Sequence, residues 1–386
     1  MTGSIGVYFS RLPDPRADRG RRHLLLDVVT IGVLAVLCGA EHWSEMEEFG
    51  QGKKDWLRTF LELPHGIPSH DTFAEVFAAL DPDAFEACFQ SWTAAVAGEI
   101  AGVLAIDGKT LRRSFDTATG KAAVHLVSAW AADNGVVFGQ LAVDDKSNEI
   151  TAIPALLKML RIKGLIVTID AIGCQKEIAG QIVAQGGDYL LAVKDNQPTL
   201  HRDIRELFDW ADRRGYAGLQ EAHSEEVNKG HGRVETRRAT VLWELGQISD
   251  AAAWPNLACV LRVRTRRTLG EKTTTEHRFY ISSVQTRRSE EVARAARAHW
   301  GVENGLHWRL DVTFGEDASR ARVGHAAENL SRLKRITLNV LKLAPATKSK
   351  TLKAKRFRAS LDHEYLLTVL RAGAASIPND PRTTLR

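Results

Sequence analysis

The chain has 386 residues, 44% hydrophobic and 26% charged, proportions that exclude a disordered or fibrous protein and allow two or three domains with real cores. Its four cysteines, Cys38, Cys88, Cys174 and Cys259, are scattered, which argues against a disulfide framework or zinc site and for a reducing cytoplasm. The net charge of +5 is uneven: residues 320–386 carry 15 Lys/Arg against 4 Asp/Glu, a net of +11 that leaves the rest at −6, so a polyanionic partner is expected, nucleic acid first.

Met1–Arg22 has no apolar run behind a basic start, so no signal peptide is expected. Leu24–Ala40 is apolar but short for a membrane span and carries Asp27, which predicts a buried helix. Residues 1–100 read as helical, with apolar residues at three- and four-residue spacing over Leu24–Cys38, Trp43–Phe49, Trp56–Leu61, Thr72–Leu80 and Ala84–Ala97. Ser69, Asp71 and Asp81 are candidate caps. The segment holds 8 Lys/Arg against 15 Asp/Glu, the wrong balance for a phosphate-tracking surface. An accessory helical domain is therefore expected, its basic edge at Arg11–Arg22.

From residue 103 strands and helices alternate. Val103–Asp107 and Leu165–Asp170 are apolar runs suited to strands buried on both faces, and each ends in an aspartate followed by small residues. Ala123–Trp130 and Val136–Val143 flank an Asn134-Gly135 hairpin signal. Helices are expected over Ile150–Arg161 and Gln175–Gln185, then a strand over Tyr189–Val193. Three antiparallel strands followed by strand, helix and strand is the order of a ribonuclease-H-like sheet. In that order the strands ending in Asp107 and Asp170 are neighbours. One such aspartate could merely cap the next helix; two in the same setting point to a hard cation such as Mg²⁺ or Mn²⁺.

Residues 201–290 interrupt the pattern with alternating strands at Val234–Leu245, Ala258–Thr268 and His277–Val284. Arg262, Arg264 and Arg266 share one strand face, expected to meet a DNA backbone. A helix returns to about Phe314, on which His299, Glu303 and His307 form one polar stripe beside Val302, Leu306 and Leu310. The expected fold class is α/β: a ribonuclease-H-like mixed sheet flanked by helices, with a β-rich insertion and an N-terminal all-α domain. The expected limits are 1–100, a core at 101–200 and 291–345 around an insertion at 201–290, and a basic tail at 346–386.

Several stretches occur together and in order: Ala105-Ile106-Asp107-Gly108-Lys109-Thr110-Leu111-Arg112, Asp145-Lys146-Ser147-Asn148-Glu149-Ile150, Thr168-Ile169-Asp170-Ala171, Val193-Lys194-Asp195-Asn196-Gln197, Gly230-His231-Gly232-Arg233-Val234-Glu235-Thr236-Arg237 and His299-Trp300-Gly301-Val302-Glu303-Asn304. Together they resemble the DDE transposases of bacterial insertion sequences, in particular the branch with the H-repeat-associated proteins. The resemblance implies that Asp107 and Asp170 are the catalytic aspartates and Glu303 the glutamate, with Trp300 at the tryptophan three residues before it. The wider group's Tyr-Arg-Glu-Lys signature is broken here: Ala296, His299 and Leu310 stand at the tyrosine, arginine and lysine positions, leaving Arg297, His307 or Arg309 to serve instead.

The implied chemistry is cleavage and strand transfer on DNA, with the three acids holding two Mg²⁺ ions (or Mn²⁺) about 3.5–4 Å apart. Lys109, Arg112, Lys194 and Asn196 flank the strand ends as candidate phosphate clamps, and His231, Arg233 and Arg237 as DNA contacts or a closing turn. Trp300 and Trp308 are candidates to stack on an unpaired base, and His299, His307 and Arg309 complete the expected DNA-binding set. The expected partners are the element's terminal inverted repeats and target DNA, bound by a homodimer in a bacterial cytoplasm. The alternatives are a catalytically inactive, domesticated DNA-binding relative, or a ribonuclease-H-like nuclease.

Overall fold

The computed structural model describes residues 3–98, 100–117, 119–143, 149–230, 233–285, 289–345 and 351–372. Its N-terminal part is helical: α1 (Gly3–Phe9), α2 (Leu25–Cys38), α3 (Trp43–Gly52), α4 (Lys54–Leu57), α5 (His70–Ala79) and α6 (Pro82–Ala97). Ser69 caps α5 by accepting the Thr72 N–H, and Asp81 caps α6 through the N–H groups of Asp83 and Ala84. Asp71 instead lies inside the first turn of α5. Helix α2 is apolar all round because it is buried all round. Its Asp27, 3% exposed, accepts the Leu63 N–H at 2.9 Å, which explains an acid in that run. Among the described residues no single helix is long and apolar enough to cross a membrane.

The strands follow: β1 (Val103–Thr110), β2 (His125–Ala131), β3 (Val136–Val143), then α7 (Glu149–Met159), β4 (Ile166–Ile169), α8 (Lys176–Ala184) and β5 (Asp188–Val193). After them come α9 (Pro198–Arg213), β6 (Glu221–Gly230), β7 (Arg233–Leu242), β8 (Cys259–Leu269) and β9 (Lys272–Ser282). The described residues end with α10 (Ser289–Val302), a π turn at Glu303–His307, α11 (Trp308–Phe314), α12 (Ala326–Leu343), α13 (Leu352–Leu361) and α14 (His363–Ala372).

The described strands form one sheet in the order β3-β2-β1-β4-β5-β9-β8-β7-β6. β1, β2 and β3 pair antiparallel, whereas β4 and β5 run parallel to β1, which is the ribonuclease-H-like order. The expected insertion continues this sheet rather than standing apart, because β9 pairs antiparallel with β5. Strand β6 gives no apolar alternation, whereas α9 carries a helical-period stripe that the sequence analysis leaves unassigned. The polar positions of α9 outnumber its apolar stripe of Leu200, Ile204, Leu207 and Phe208, and β6 is nearly all polar.

Two apolar layers cover the sheet. One unites α2, α5, α6, the π turn and α12; the other joins α7, α8 and α9 to the opposite face. Helices from both chain ends thus share one core, with α12 nearly wholly buried between them. Edge strand β3 is closed by helical side chains instead of another strand. Asn339 accepts the Val137 N–H (2.8 Å) and donates to its carbonyl (2.7 Å), and Glu86 accepts the Gln140 N–H (2.8 Å).

Much of the C-terminal basic charge turns inward. Arg332 donates to Glu86 (2.7 Å), Arg335 to Glu316 (2.7 Å), and Lys355 to the Leu341 and Ala344 carbonyls. The expectation that residues 320–386 present this charge to a polyanion therefore fails for these side chains, which complete helix packing instead. The same correction applies to the arginine stripe. Arg262 is 6% exposed, grips Asp212 through two donors (2.7 and 2.8 Å) and covers the Phe208 ring, because α9 lies over that face. Arg264 and Arg266 on the same strand stay exposed.

Candidate active site

The parallel pairing of β1 with β4 ends at Ile106 opposite Ile169, so Asp107 and Asp170 leave adjacent strands at the same level. Neighbouring strands lie about 4.8 Å apart, which makes these aspartates next-door neighbours. β1 does not stop at Asp107 as expected; it runs on to Thr110, paired only with β2. Asp170 keeps its capping role as well, accepting the Ile172 N–H (3.1 Å) in a 3-10 turn. Glu303 opens the π turn. An unbroken helix would carry the stripe straight on, but the turn widens it, and Gly305 lets it rest on Trp130, where a Cβ would come within 3.0 Å of the ring.

Asp107, Asp170 and Glu303 line one cleft of about 500 Å³, together with His299, Trp300 and Asn304. Its other wall carries three arginines, Arg237, Arg278 and Arg297, which pair with Glu235, Glu276 and Glu226 respectively. Burial, then the charges of Asp170, Glu303 and Glu149, push the Asp107 carboxyl up to about 7, although the Gly108 N–H opposes this. Burial and the Glu149 charge raise Asp170 too, against the pull of its backbone donors and Lys194. Among the described residues no group of three His, Cys, Asp or Glu side chains is gathered tightly enough to hold an ion as it stands. The donor chemistry nevertheless suits a hard divalent cation, which takes carboxylate oxygens, keeps several waters, and would relieve the repulsion that lifts Asp107.

The other sequence candidates divide. His299 is half-buried, its Nδ1 3.3 Å from Thr168 Oγ1, and desolvation pushes it down to about 4, so it is neutral at physiological pH. Trp300 is half-buried in the cleft wall with Arg278 3.5 Å and Arg237 5.5 Å from its ring centroid. Lys194 is exposed beside Asp170, and Asn196 donates to the Ala171 carbonyl (2.5 Å), tying the loops after β4 and β5 together. Arg112 is exposed, 3.3 Å from Asp317, and Trp308 is exposed outside the cleft lining. Arg309 donates to the Asn304 carbonyl (3.3 Å) and is also outside that lining. Arg233 opens β7, while His231 lies outside the described residues.

Two candidates are corrected. Lys109 lies on the same face of β1 as Asp107 but outside the cleft lining, and its charge is taken up by Asp311, Glu316 (3.1 Å) and Asp317 (3.1 Å) instead of being open to a phosphate. His307 is 7% exposed and is not presented to DNA; its Nε2 lies 3.6 Å from Asp107 Oδ2, without a hydrogen-bond partner among the described residues, and burial pushes it down to about 3. Sequence reasoning missed Arg278 and gave Glu149 no role. Nothing in the local pattern marks Arg278, since its neighbours in the cleft come from β1, β7 and α10.

The raised Asp107 carboxyl carries a stability consequence. Between 3.8, its ordinary value, and about 7, the folded chain holds a proton that the unfolded chain has lost, so stability falls as pH rises through that window. Asp107→Asn removes the buried charge. In metal-free buffer at pH 8 this variant should unfold at higher urea than the parent, by on the order of 2–4 kcal/mol, with the gap closing toward pH 4. Equal stability at both pH values would refute the strained carboxylate.

Comparison with known proteins identifies the family. Residues 7–93 match the DDE_Tnp_1-associated family and residues 99–340 the transposase DDE domain family. The "H repeat-associated putative transposase YhhI" of Escherichia coli K12 is 40% identical over 380 residues, covering 96% of this chain and 98% of that protein. "Putative transposase YncI" of Escherichia coli O157:H7 is 41% identical over 372 residues, 95% and 94% of the two chains. A solved piggyBac transposase synaptic complex with hairpin DNA aligns with 98% of this chain and 81% of its own, at 12% identity and a TM-score of 0.36, a likeness too loose to bear on function. With the transposase domain spanning 99–340 and such relatives matching end to end, this chain belongs to the DDE transposase family.

Proposed function

We propose that this protein binds the ends of a mobile DNA element and catalyses cation-dependent cleavage and strand transfer, with Asp107, Asp170 and Glu303 as the acids that hold the cation. The observation that carries this reading is the single cleft in which three acids from β1, the end of β4 and the π turn face Arg237, Arg278 and Arg297. A phosphodiester needs both walls: anionic oxygens to fix divalent cations, and guanidinium groups to hold phosphate oxygens bidentately. Bound Mg²⁺, with Mn²⁺ as a substitute, supplies the Lewis acidity that activates a water or 3′-hydroxyl and stabilises the leaving oxygen.

The chain's own residues do the rest. Asp107 and Asp170 hold the floor of the cleft, and Glu303 closes it from the helical side. Trp300, braced by Arg278, offers an aromatic face to an unpaired base at a cleaved end. Lys194, exposed beside Asp170, adds a phosphate contact. His299, kept neutral, lines the cleft without adding charge. Joining two DNA ends calls for two such clefts, so a homodimer on DNA follows, in the bacterial cytoplasm at the nucleoid.

Incubating the full chain with DNA bearing the inverted repeats that flank its gene should give Mg²⁺-dependent nicks leaving 3′-hydroxyls, abolished by EDTA. Intact repeat DNA in both Mg²⁺ and Mn²⁺ would overturn the reading. Preferential cutting of an RNA–DNA hybrid would move it to a ribonuclease.

A further inference from the structure

A fourth carboxylate stands behind the cleft. Glu149, the first residue of α7, is 5% exposed, and its Oε1 lies 2.6 Å from Nε2 of His125, itself 2% exposed. The other ring nitrogen of His125 is 2.9 Å from Thr110 Oγ1, its cross-strand partner on β1. Gly108 makes this possible. A Cβ there would sit 2.4 Å from Glu149 Oε1 and 2.5 Å from His125 Nε2, so any other residue would push the pair out.

Side chains alternate along a strand, so Gly108 faces the opposite side of the sheet from Asp107. Glu149 therefore reaches the strand ends from the α7 layer, while Glu303 reaches them from the helices on the other side. It is absent from the cleft lining, yet its charge bears on both Asp107 and Asp170, and on Asp170 it is the largest nearby charge.

A buried carboxylate beside two more is a costly way to fasten a helix to a sheet, since an apolar pair of the same volume would do so at less cost. The pattern fits a different use. We infer that Glu149, paired with His125, which Thr110 holds in turn, is a positioning residue that supplies negative charge behind Asp107 and Asp170 and tightens their hold on the divalent cation. This rests on the proposed function, because it needs those two aspartates to be cation ligands. Groups that support metal ligands from behind typically change affinity by about 10–100-fold when removed.

Mn²⁺ titration of the full chain, followed by the loss of the free-ion EPR signal, reads the effect without DNA cleavage. Saturable binding should be lost in Asp170→Ala. Glu149→Gln, which keeps the shape and removes the charge, should weaken Mn²⁺ binding by roughly tenfold or more. Its nicking rate should recover at high Mn²⁺, a shift in the half-saturating metal concentration rather than in the maximal rate. His125→Asn, which frees Glu149 without touching a carboxylate, should weaken binding in the same direction and decides the matter if Glu149→Gln fails to fold. If Asp170→Ala loses Mn²⁺ while both other variants, folded, bind within twofold of the parent, the inference is overturned and the proposed function stands. If the parent binds no Mn²⁺ in a manner sensitive to Asp170→Ala, the cation site itself is refuted, and the role of Glu149 with it.

Discussion

Alanine at Asp107, Asp170 or Glu303 should each lower the rate of DNA nicking by at least about 10³-fold, a loss of roughly 4 kcal/mol of transition-state stabilisation. The size of the effect follows from the arrangement. The three carboxylates come from separate elements and line one cleft; on the proposed mechanism, removing any of them would leave a bound cation under-liganded where the leaving oxygen develops charge. Binding of repeat DNA should change far less, since the arginine wall of Arg237, Arg278 and Arg297 is untouched. Parallel gel-shift and nicking assays separate the two. A variant that nicks at more than a tenth of the parental rate removes that acid from the mechanism. Asp107→Ala should also stay folded, because it relieves repulsion rather than breaking a pair.

The second large effect is on stability. Glu316 is 3% exposed and accepts from Arg335 (2.7 Å), Ser331 (2.7 Å) and Lys109 (3.1 Å). The Arg335 and Lys109 charges hold its carboxyl far below the usual range, overcoming a burial effect that acts the other way. Glu316→Ala leaves the fully buried Arg335 guanidinium without its carboxylate partner, while Lys109 keeps Asp311 and Asp317. Breaking a buried pair from one side costs about 3–5 kcal/mol, out of roughly 5–15 in total for an ordinary protein. The urea midpoint should drop accordingly and protease resistance fall. A loss under about 1 kcal/mol would show that this network does not secure the turn after α11. Because Lys109 lies two residues from Asp107 on β1, the network also fixes the strand that carries the first acid.

The sequence marked strands and acids well where one local rule governed. Val103–Asp107 and Leu165–Asp170 are legible because a strand buried on both faces must be apolar throughout, so an aspartate there stands out. The caps of α5 and α6 are legible because capping needs only a few neighbouring atoms. Lys109, Arg262 and Arg332 misled for the opposite reason. A basic side chain looks the same in sequence whether it faces DNA or a carboxylate from a distant helix. Arg262 meets Asp212 across 50 residues and Arg332 meets Glu86 across 246.

The amino-acid order by itself determined the strand-and-helix succession of the core, the two aspartates at the ends of their apolar runs, and the motif series that marks the family, since each depends on neighbours a few positions away. Tertiary structure alone decided that the inserted strands extend the core sheet, that the π turn sets Glu303 in the cleft while burying His307 beside Asp107, and that Glu149 approaches through the space left by Gly108. Those outcomes depend on which faces pack together, and packing joins residues whose separation along the chain carries no periodic trace.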